Sequence, residues 1–189
     1  MRVVIAEDEA LIRVDLQEML EEDGHEVVGA ARDGVEAVEL VRETRPDVVF
    51  LDIRMPRMDG IEAADIITGE RLAPVVMITA FAESEQVEQA CRAGAMGYVT
   101  KPFTRNDVVP AMHVAVSRHT EAEALAKEVA DLNERLETRT ILDRAKGALM
   151  ARGLTEPEAF RRIQKTAMDK RLSLRAVAEA ILLAEEVDG

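Results

Sequence analysis

Hydrophobic and polar positions follow two different regimes along the chain. Up to about residue 118, short apolar runs alternate with amphipathic stretches. The runs are Val3–Ala6, Val27–Ala30, Val48–Leu51, Val75–Ile78 and Tyr98–Val99. Short, β-branched and mostly uninterrupted, they read as strands buried on both faces of a parallel sheet. The stretches between them, Ala10–Glu22, Val35–Thr44, Gly60–Thr68, Ser84–Ala93 and Asn106–Ser117, show helical periodicity. In the first of these, Leu11, Val14, Met19 and Leu20 make the expected apolar face. Five strand–helix repeats predict a doubly wound α/β domain, because parallel strands need crossover connections. Ligand chemistry in such a domain collects at the carboxyl ends of the strands.

Beyond residue 118 the period changes. From Glu121 to Glu137 there is neither Gly nor Pro, and Ala122, Leu125, Val129, Leu132 and Leu136 are spaced 3, 4, 3 and 4 apart. So narrow an apolar seam suits a second helix better than a broad core and predicts a short dimerising coiled coil; a linker helix packed on its own domain is the alternative. The last segment reads as three short helices forming a small bundle: Ile141–Ala151 ending at Gly153, Glu156–Arg171 after Thr155, and Leu174–Glu186 after Ser173. The expected organisation is therefore a domain at 1–118, a helical linker at 119–137 and a helical module at 138–189.

Composition narrows the class. Hydrophobic residues at 48% allow a packed core, which must be aliphatic because the chain has no Trp, one Tyr and four Phe. The single cysteine, Cys91, excludes an internal disulfide framework. No stretch approaches the roughly 18 apolar residues of a membrane span, and strand-like residues follow Met1 at once, so a cytoplasmic location without a signal peptide is expected. The net charge of −13 argues against a surface coated to bind nucleic acid, but it is unevenly spread. Residues 1–137 carry 14 basic and 29 acidic side chains, whereas Arg139–Arg171 carries nine and four. Two modules with different partners are expected.

The predicted strand ends carry a distinct set of groups: Glu7 and Asp8 after the first, Asp52 at the third, Thr79 at the fourth, Lys101 and Pro102 after the fifth. Carboxylates held together repel one another and attract a hard divalent cation such as Mg²⁺. A hydroxyl and an ammonium beside them complete a cradle for a phosphoryl group, and Asp52 can be its acceptor. A carboxylate at one strand end is usually just a cap or loop residue; the joint pattern in strand order carries the signal. The stretches Ile5–Glu9, Leu51–Pro56 with Asp59-Gly60, Ile78–Ala80 and Gly97–Phe103 resemble the receiver domain of two-component response regulators across residues 1–118. The resemblance implies a flavodoxin-like fold and phosphorylation of Asp52 by a sensor histidine kinase. It further implies Mg²⁺ held by Asp8, Asp52 and the Arg54 carbonyl, with Glu7 acting through water. Thr79 and Lys101 would contact the phosphoryl group, Thr79 and Tyr98 would move inward together, and the bond before Pro102 would be cis. Haloacid-dehalogenase-like phosphatases share the Asp, Thr, Lys and Mg²⁺ set, but they place an acid two residues after the nucleophile. Here Arg54 follows Asp52 at that spacing and Ala10 follows Asp8, so that reading lacks its general acid.

In the tail, Arg161, Lys165 and Met168 share a helical stripe, with Arg162 beside it and Phe160 just before. Such a face suits single-stranded RNA, where bases stack and phosphates pair; a solvated helix surface is the plainer reading, and Phe160 is expected in the core. The residues Ala145–Met150, Glu158–Phe160, Ala167-Met168 and Val177–Ala180 resemble the ANTAR domain, a three-helix RNA-binding module of antitermination regulators. The chain departs from the family at Gln164, where many members have Arg. The resemblance implies a regulator, not an enzyme, that dimerises on phosphorylation and binds paired RNA hairpins. The RNA contacts expected are Arg144, Lys146, Arg161, Arg162, Lys165, Lys170 and Arg171. A DNA-binding response regulator is the alternative and would need a recognition helix.

Overall fold

The computed structural model describes residues 1–80 and 84–188. The chain forms two compact units, Met1–Glu123 and Ala124–Gly189. The first is a five-stranded parallel sheet in the order β2-β1-β3-β4-β5, built from β1 (Arg2–Ala6), β2 (Glu26–Ala31), β3 (Val48–Asp52), β4 (Val75–Thr79) and β5 (Gly97–Thr100). Helices α1 (Ala10–Glu22), α2 (Gly34–Thr44), α3 (Gly60–Gly69) and α4 (Ser84–Arg92) connect the strands, and α5 (Arg105–Ala151) follows β5. One core lies on the side holding Val4, Leu51, Ile67 and Met77, and a second holds Ile5, Leu16, Phe50 and Met112.

The strands are not all buried as their apolar runs predict. β3 and β4 are buried throughout, whereas β2 and β5 are edge strands with partly exposed positions. The expected apolar face of α1 holds in part: Met19 and Leu20 pack inward, Leu11 and Val14 do not. Leu11 is 86% exposed and Val14 51%, while Leu16 and Leu20 are buried. The core takes Leu16, Met19 and Leu20, spaced 3 and 1 apart, and leaves the Leu11–Val14 pair outside it.

The three helical stretches expected between residues 106 and 151 form the single helix α5. No glycine occurs from Arg105 to Lys146, and no proline follows Pro110 within that stretch, so nothing interrupts the backbone ladder near residues 118 and 140. The second unit comprises α5 from Ala124 onward with α6 (Glu156–Lys170) and α7 (Leu174–Asp188). Its core is Ala145, Leu149, Ala159, Ile163, Ala167, Val177 and Ala178. Gly153, at φ +94°, donates its N–H to Met150 O and closes α5. Glu158 accepts from the Thr155 N–H and hydroxyl at the start of α6, and Ser173 Oγ accepts from the Ala176 N–H in α7.

Candidate functional site

Sheet register assembles the first site. Ala6 pairs with Leu51, Asp52 with Ile78, and Thr79 with Thr100, so Glu7, Asp52 and Thr79 arrive at one edge within one residue of each other. That edge lies at the β1/β3 junction, where the strand order reverses and α/β sheets open a crevice. Lys101 is fixed by its own N–H, which donates to Thr79 O at 2.7 Å, and its bond to Pro102 is cis. Gly60 lets α3 start against the acceptor strand, since a Cβ there would lie 2.0 Å from Asp52 O.

One carboxylate oxygen from each of Glu7, Asp8 and Asp52 lies within 4.8 Å of the others. Glu7 and Asp52 are buried and Asp8 is exposed at the rim. Lys101 Nζ is 2.7 Å from Glu7 Oε2 and 3.3 Å from Asp52 Oδ2. The Glu7 contact is an ion pair off hydrogen-bond alignment, leaving Oε2 short of a well-directed donor. Its Oε1 accepts from the Glu9 N–H at 3.2 Å. Burial raises the Glu7 carboxyl above its ordinary range, and Asp52 adds to this against the pull of Lys101. Asp52 is raised for the same first reason, with Lys101 opposing and Asp8 reinforcing. Burial disfavours the Lys101 ammonium, but Glu7 and Asp52 outweigh it and hold its pKa above the usual value.

Two of three clustered carboxylates are buried around one ammonium, so negative charge is in excess. An oxygen-seeking divalent cation fits this donor set. Asp8, Glu9, Asp52, Ile53, Arg54, Thr79, Ala80 and Lys101 line a cleft of about 190 Å³. Thr79 is buried and Tyr98 is 55% exposed; both border a neighbouring, mainly apolar cavity of about 130 Å³. The site residues expected in the first unit therefore all border this cleft or its neighbouring cavity, except Glu7, which lies beneath it. Glu9 lines the cleft and Arg13 donates to the Glu7 carbonyl; sequence reasoning assigned neither a place. Glu9 follows Glu7-Asp8 directly, and Arg13 is one helical turn beyond it, which is the signal that could have found them.

The second unit offers a surface, not a cleft. Arg161, Arg162, Lys165, Lys170 and Arg171 are exposed, and none makes an ion pair among the described residues. Arg144 is also exposed. Lys146 differs: its ammonium meets Asp143 at 2.8 Å and Glu156 at 2.9 Å, joining α5 to the start of α6. Phe160 is 38% exposed and lies outside the core expected for it, because Ala159 and Ile163 take the inward positions. Its ring borders a groove of about 440 Å³ shared with Arg135, Arg139, Leu142 and Lys146. Gln164 and Met168 are exposed on the same helix, Met168 at 79%.

Comparison with known proteins agrees with both halves. The response regulator receiver domain family matches residues 3–113, and the ANTAR domain family matches residues 130–182. The transcriptional regulatory protein PdtaR of Mycobacterium tuberculosis is 56% identical over 182 residues, covering 96% of this chain and 89% of that protein. The signal receiver domain of NarL from Mycobacterium tuberculosis superposes with a TM-score of 0.59 at 37% identity, covering 61% of this chain and 95% of that one. A chain of the CheX–CheY–BeF₃–Mg complex from Borrelia burgdorferi gives 0.56 at 31% identity, covering 59% and 85%.

Proposed function

The chain belongs to the response regulators, with a receiver domain and an ANTAR domain, and from that membership we propose that it is switched by phosphorylation of Asp52 and binds RNA hairpins to cause transcription antitermination. The observation that carries the reading is the convergence of Glu7, Asp8, Asp52, Thr79 and Lys101 at one sheet edge. In this reading residues 1–118 are the receiver, 119–137 the helical linker and 138–189 the RNA-binding domain. The protein is a cytoplasmic regulator and not an enzyme. Among the described residues no helix is long and apolar enough to cross a membrane.

Asp52 takes the phosphoryl group from a histidine of a sensor kinase: a P–N bond breaks and a P–O bond to the carboxylate forms. Asp8, Asp52 and the Arg54 carbonyl would hold Mg²⁺, with Glu7 acting through water. When bound, the cation offsets the negative charge gathered on the phosphoryl oxygens. The CheY complex above contains Mg and BeF₃, which supports that assignment for this fold. Lys101 pairs with the phosphoryl group and leaves its bridge to Glu7, and the Thr79 hydroxyl donates to a phosphoryl oxygen. As Thr79 shifts, the exposed Tyr98 turns inward toward the cavity beside it. The exposed Leu11 and Val14 lie on α1 directly after the cleft residues Asp8 and Glu9, where an incoming kinase helix can rest.

The output is the exposed face of α6. Arg161, Arg162, Lys165, Lys170 and Arg171 neutralise phosphates, and Phe160 offers a ring to an unpaired base. Arg144 is an additional contact from α5. Lys146 is tied to Asp143 and Glu156, and in this reading it braces the bundle instead of meeting RNA. Leu125, Val129, Leu132 and Leu136 are 48–62% exposed along α5, a seam that pairs with a second copy on phosphorylation. A dimer matches tandem hairpins, because two linked contacts raise avidity.

The test is recovery of bound transcripts with and without a small-molecule phosphodonor, with Asp52→Ala as control. Paired hairpins are enriched only with the phosphorylated wild-type protein. Equal enrichment with Asp52→Ala would remove phosphorylation control, and preference for duplex DNA would favour a DNA-binding response regulator.

A further inference from the structure

The loop of residues 53–59 lines the cleft at Ile53 and Arg54, and its far end is fastened to α2. Gly34 donates its N–H to Met58 O at 3.1 Å, and a Cβ on Gly34 would lie 2.7 Å from that oxygen. Asp33, 2% exposed, caps α2 by accepting from the Glu36 N–H at 3.1 Å. Its other oxygen accepts from Arg57 Nε at 2.7 Å and also from Nη2. Arg57 holds φ +64°, a region that residues with a Cβ avoid. Arg45 and Arg171, which share that region, are helix C-caps, and Arg71 follows the C-cap Glu70. Arg57 instead centres a three-residue turn in which the Met58 N–H donates to Pro56 O at 2.7 Å, and the Asp33 ion pair tethers that turn to α2.

We propose that the Asp33–Arg57 pair is a latch that positions the loop of residues 53–59, and through it the Arg54 carbonyl, for cation binding in the cleft. The inference rests on reading the cleft as a Mg²⁺ site. Neither residue lines the cleft, so both are positioning residues. At the loop's base the Gly60 N–H donates to Ile53 O at 3.0 Å, which leaves the peptides of Arg54 and Met55 to be oriented by how residues 56–58 are held. With the latch closed, Arg57 stays left-handed and the carbonyl three residues earlier is held in one direction. With it open, residue 57 relaxes to negative φ and the peptides between turn with it. The buried Asp33 carboxylate needs a cation and the left-handed Arg57 needs a tether, so each retains the other.

The experiment is a Mg²⁺ titration of the full-length protein, followed through the backbone amide resonances of Ile53 and Gly60. Asp33→Asn keeps a capping oxygen and removes the charge; Arg57→Gln keeps most of the stem and removes the cation. Each weakens Mg²⁺ binding by about tenfold, as loss of an outer-shell partner does. The double variant is no weaker than either single one, because both changes open the same latch. Arg57→Lys recovers part of the affinity, and the Ile53 and Gly60 resonances of Asp33→Asn shift before any cation is added. A purely structural pair would instead lower the melting temperature with Mg²⁺ affinity unchanged. Midpoints within twofold of wild type in both single variants overturn the latch alone. A wild-type protein that binds no Mg²⁺ overturns the cation reading and the latch together.

Discussion

The carboxylate cleft of the first unit and the basic face of the second place charge in opposite surroundings. Glu7 and Asp52 are buried, and burial itself raises their pKa values. Arg161, Arg162 and Lys165 are exposed and make no ion pair among the described residues. Buried charge is sensitive to protonation and to the exact position of its neighbours, because little solvent screens it. Exposed charge is screened and tolerant of position, so its chemistry follows salt concentration. The net charge divides along the same line. Residues 1–123 hold 12 basic and 25 acidic side chains, and residues 124–189 hold 12 of each. The whole excess of −13 belongs to the unit with the cleft.

The sharpest way to separate the two regions is Asp52→Ala. It abolishes acid-labile phosphate incorporation completely, while residues 124–189 keep their helical hydrogen-exchange protection. Persistent labelling of this variant would sink the assignment of Asp52. The converse change is Ile163→Ala, which empties a fully buried position in the small helical core. It costs the second unit about 3 kcal/mol, read as lost exchange protection in α6 and α7. Mg²⁺ binding by the first unit stays as before; loss of both together would show that the units do not fold separately.

A smaller effect is expected from pH. The raised pKa values of Glu7 and Asp52 mean that protons compete for the cleft at higher pH than at an ordinary carboxylate site. Mg²⁺ affinity, followed by titration at descending pH, therefore falls before exposed carboxylates begin to titrate. In the cation-free protein the same two groups favour the fold below their unfolded pKa values, and that contribution is lost as pH rises through the raised folded values. Asp33 works in the other direction. Burial opposes its charge, but Arg57 and the α2 amides prevail and lower its pKa, so its stabilisation is present above the unfolded value and lost as pH falls through the depressed one. Binding of unpaired RNA by the unphosphorylated protein stays flat across the acidic range where the cleft loses its cation, since the switch is not engaged and Arg and Lys keep their charge there. A parallel decline would place carboxylates at the RNA interface. The smallest change is in salt dependence: Arg161→Ala with Lys165→Ala lowers the slope of log affinity against log salt by about 1.5 for unpaired RNA. An unchanged slope would move the phosphate contacts away from α6.

Much of this was legible in the residues, for identifiable reasons. Val48–Leu51 and Val75–Ile78 are buried on both faces, so their uninterrupted apolar runs mark strands without ambiguity. The receiver stretches stand at strand ends, where strand direction alone brings Glu7, Asp52, Thr79 and Lys101 together. The face of α1 was legible only in part. Its apolar residues cover more than one stripe, and packing chose Leu16 and Leu20 over Leu11 and Val14. Phe160 was misread because a lone aromatic beside a buried Ala159 fits either side of a helix. Of the two partners of Lys146, Asp143 stands three residues before it on α5 and is legible, whereas Glu156 is ten residues away across a turn and is not.

The sequence by itself determined the alternation of elements, the acidic and basic halves and the identity of the groups at the strand ends. These follow from local periodicity, from composition and from parallel pairing, none of which needs distant contacts. Tertiary structure alone decided which charges are free. Lys101 is held between Glu7 and Asp52, Lys146 reaches Glu156 across the turn from α5 to α6, and Arg57 is bound to Asp33 across 24 residues. An ion pair depends on the distance between two side-chain tips, and that distance is set only when separate elements pack.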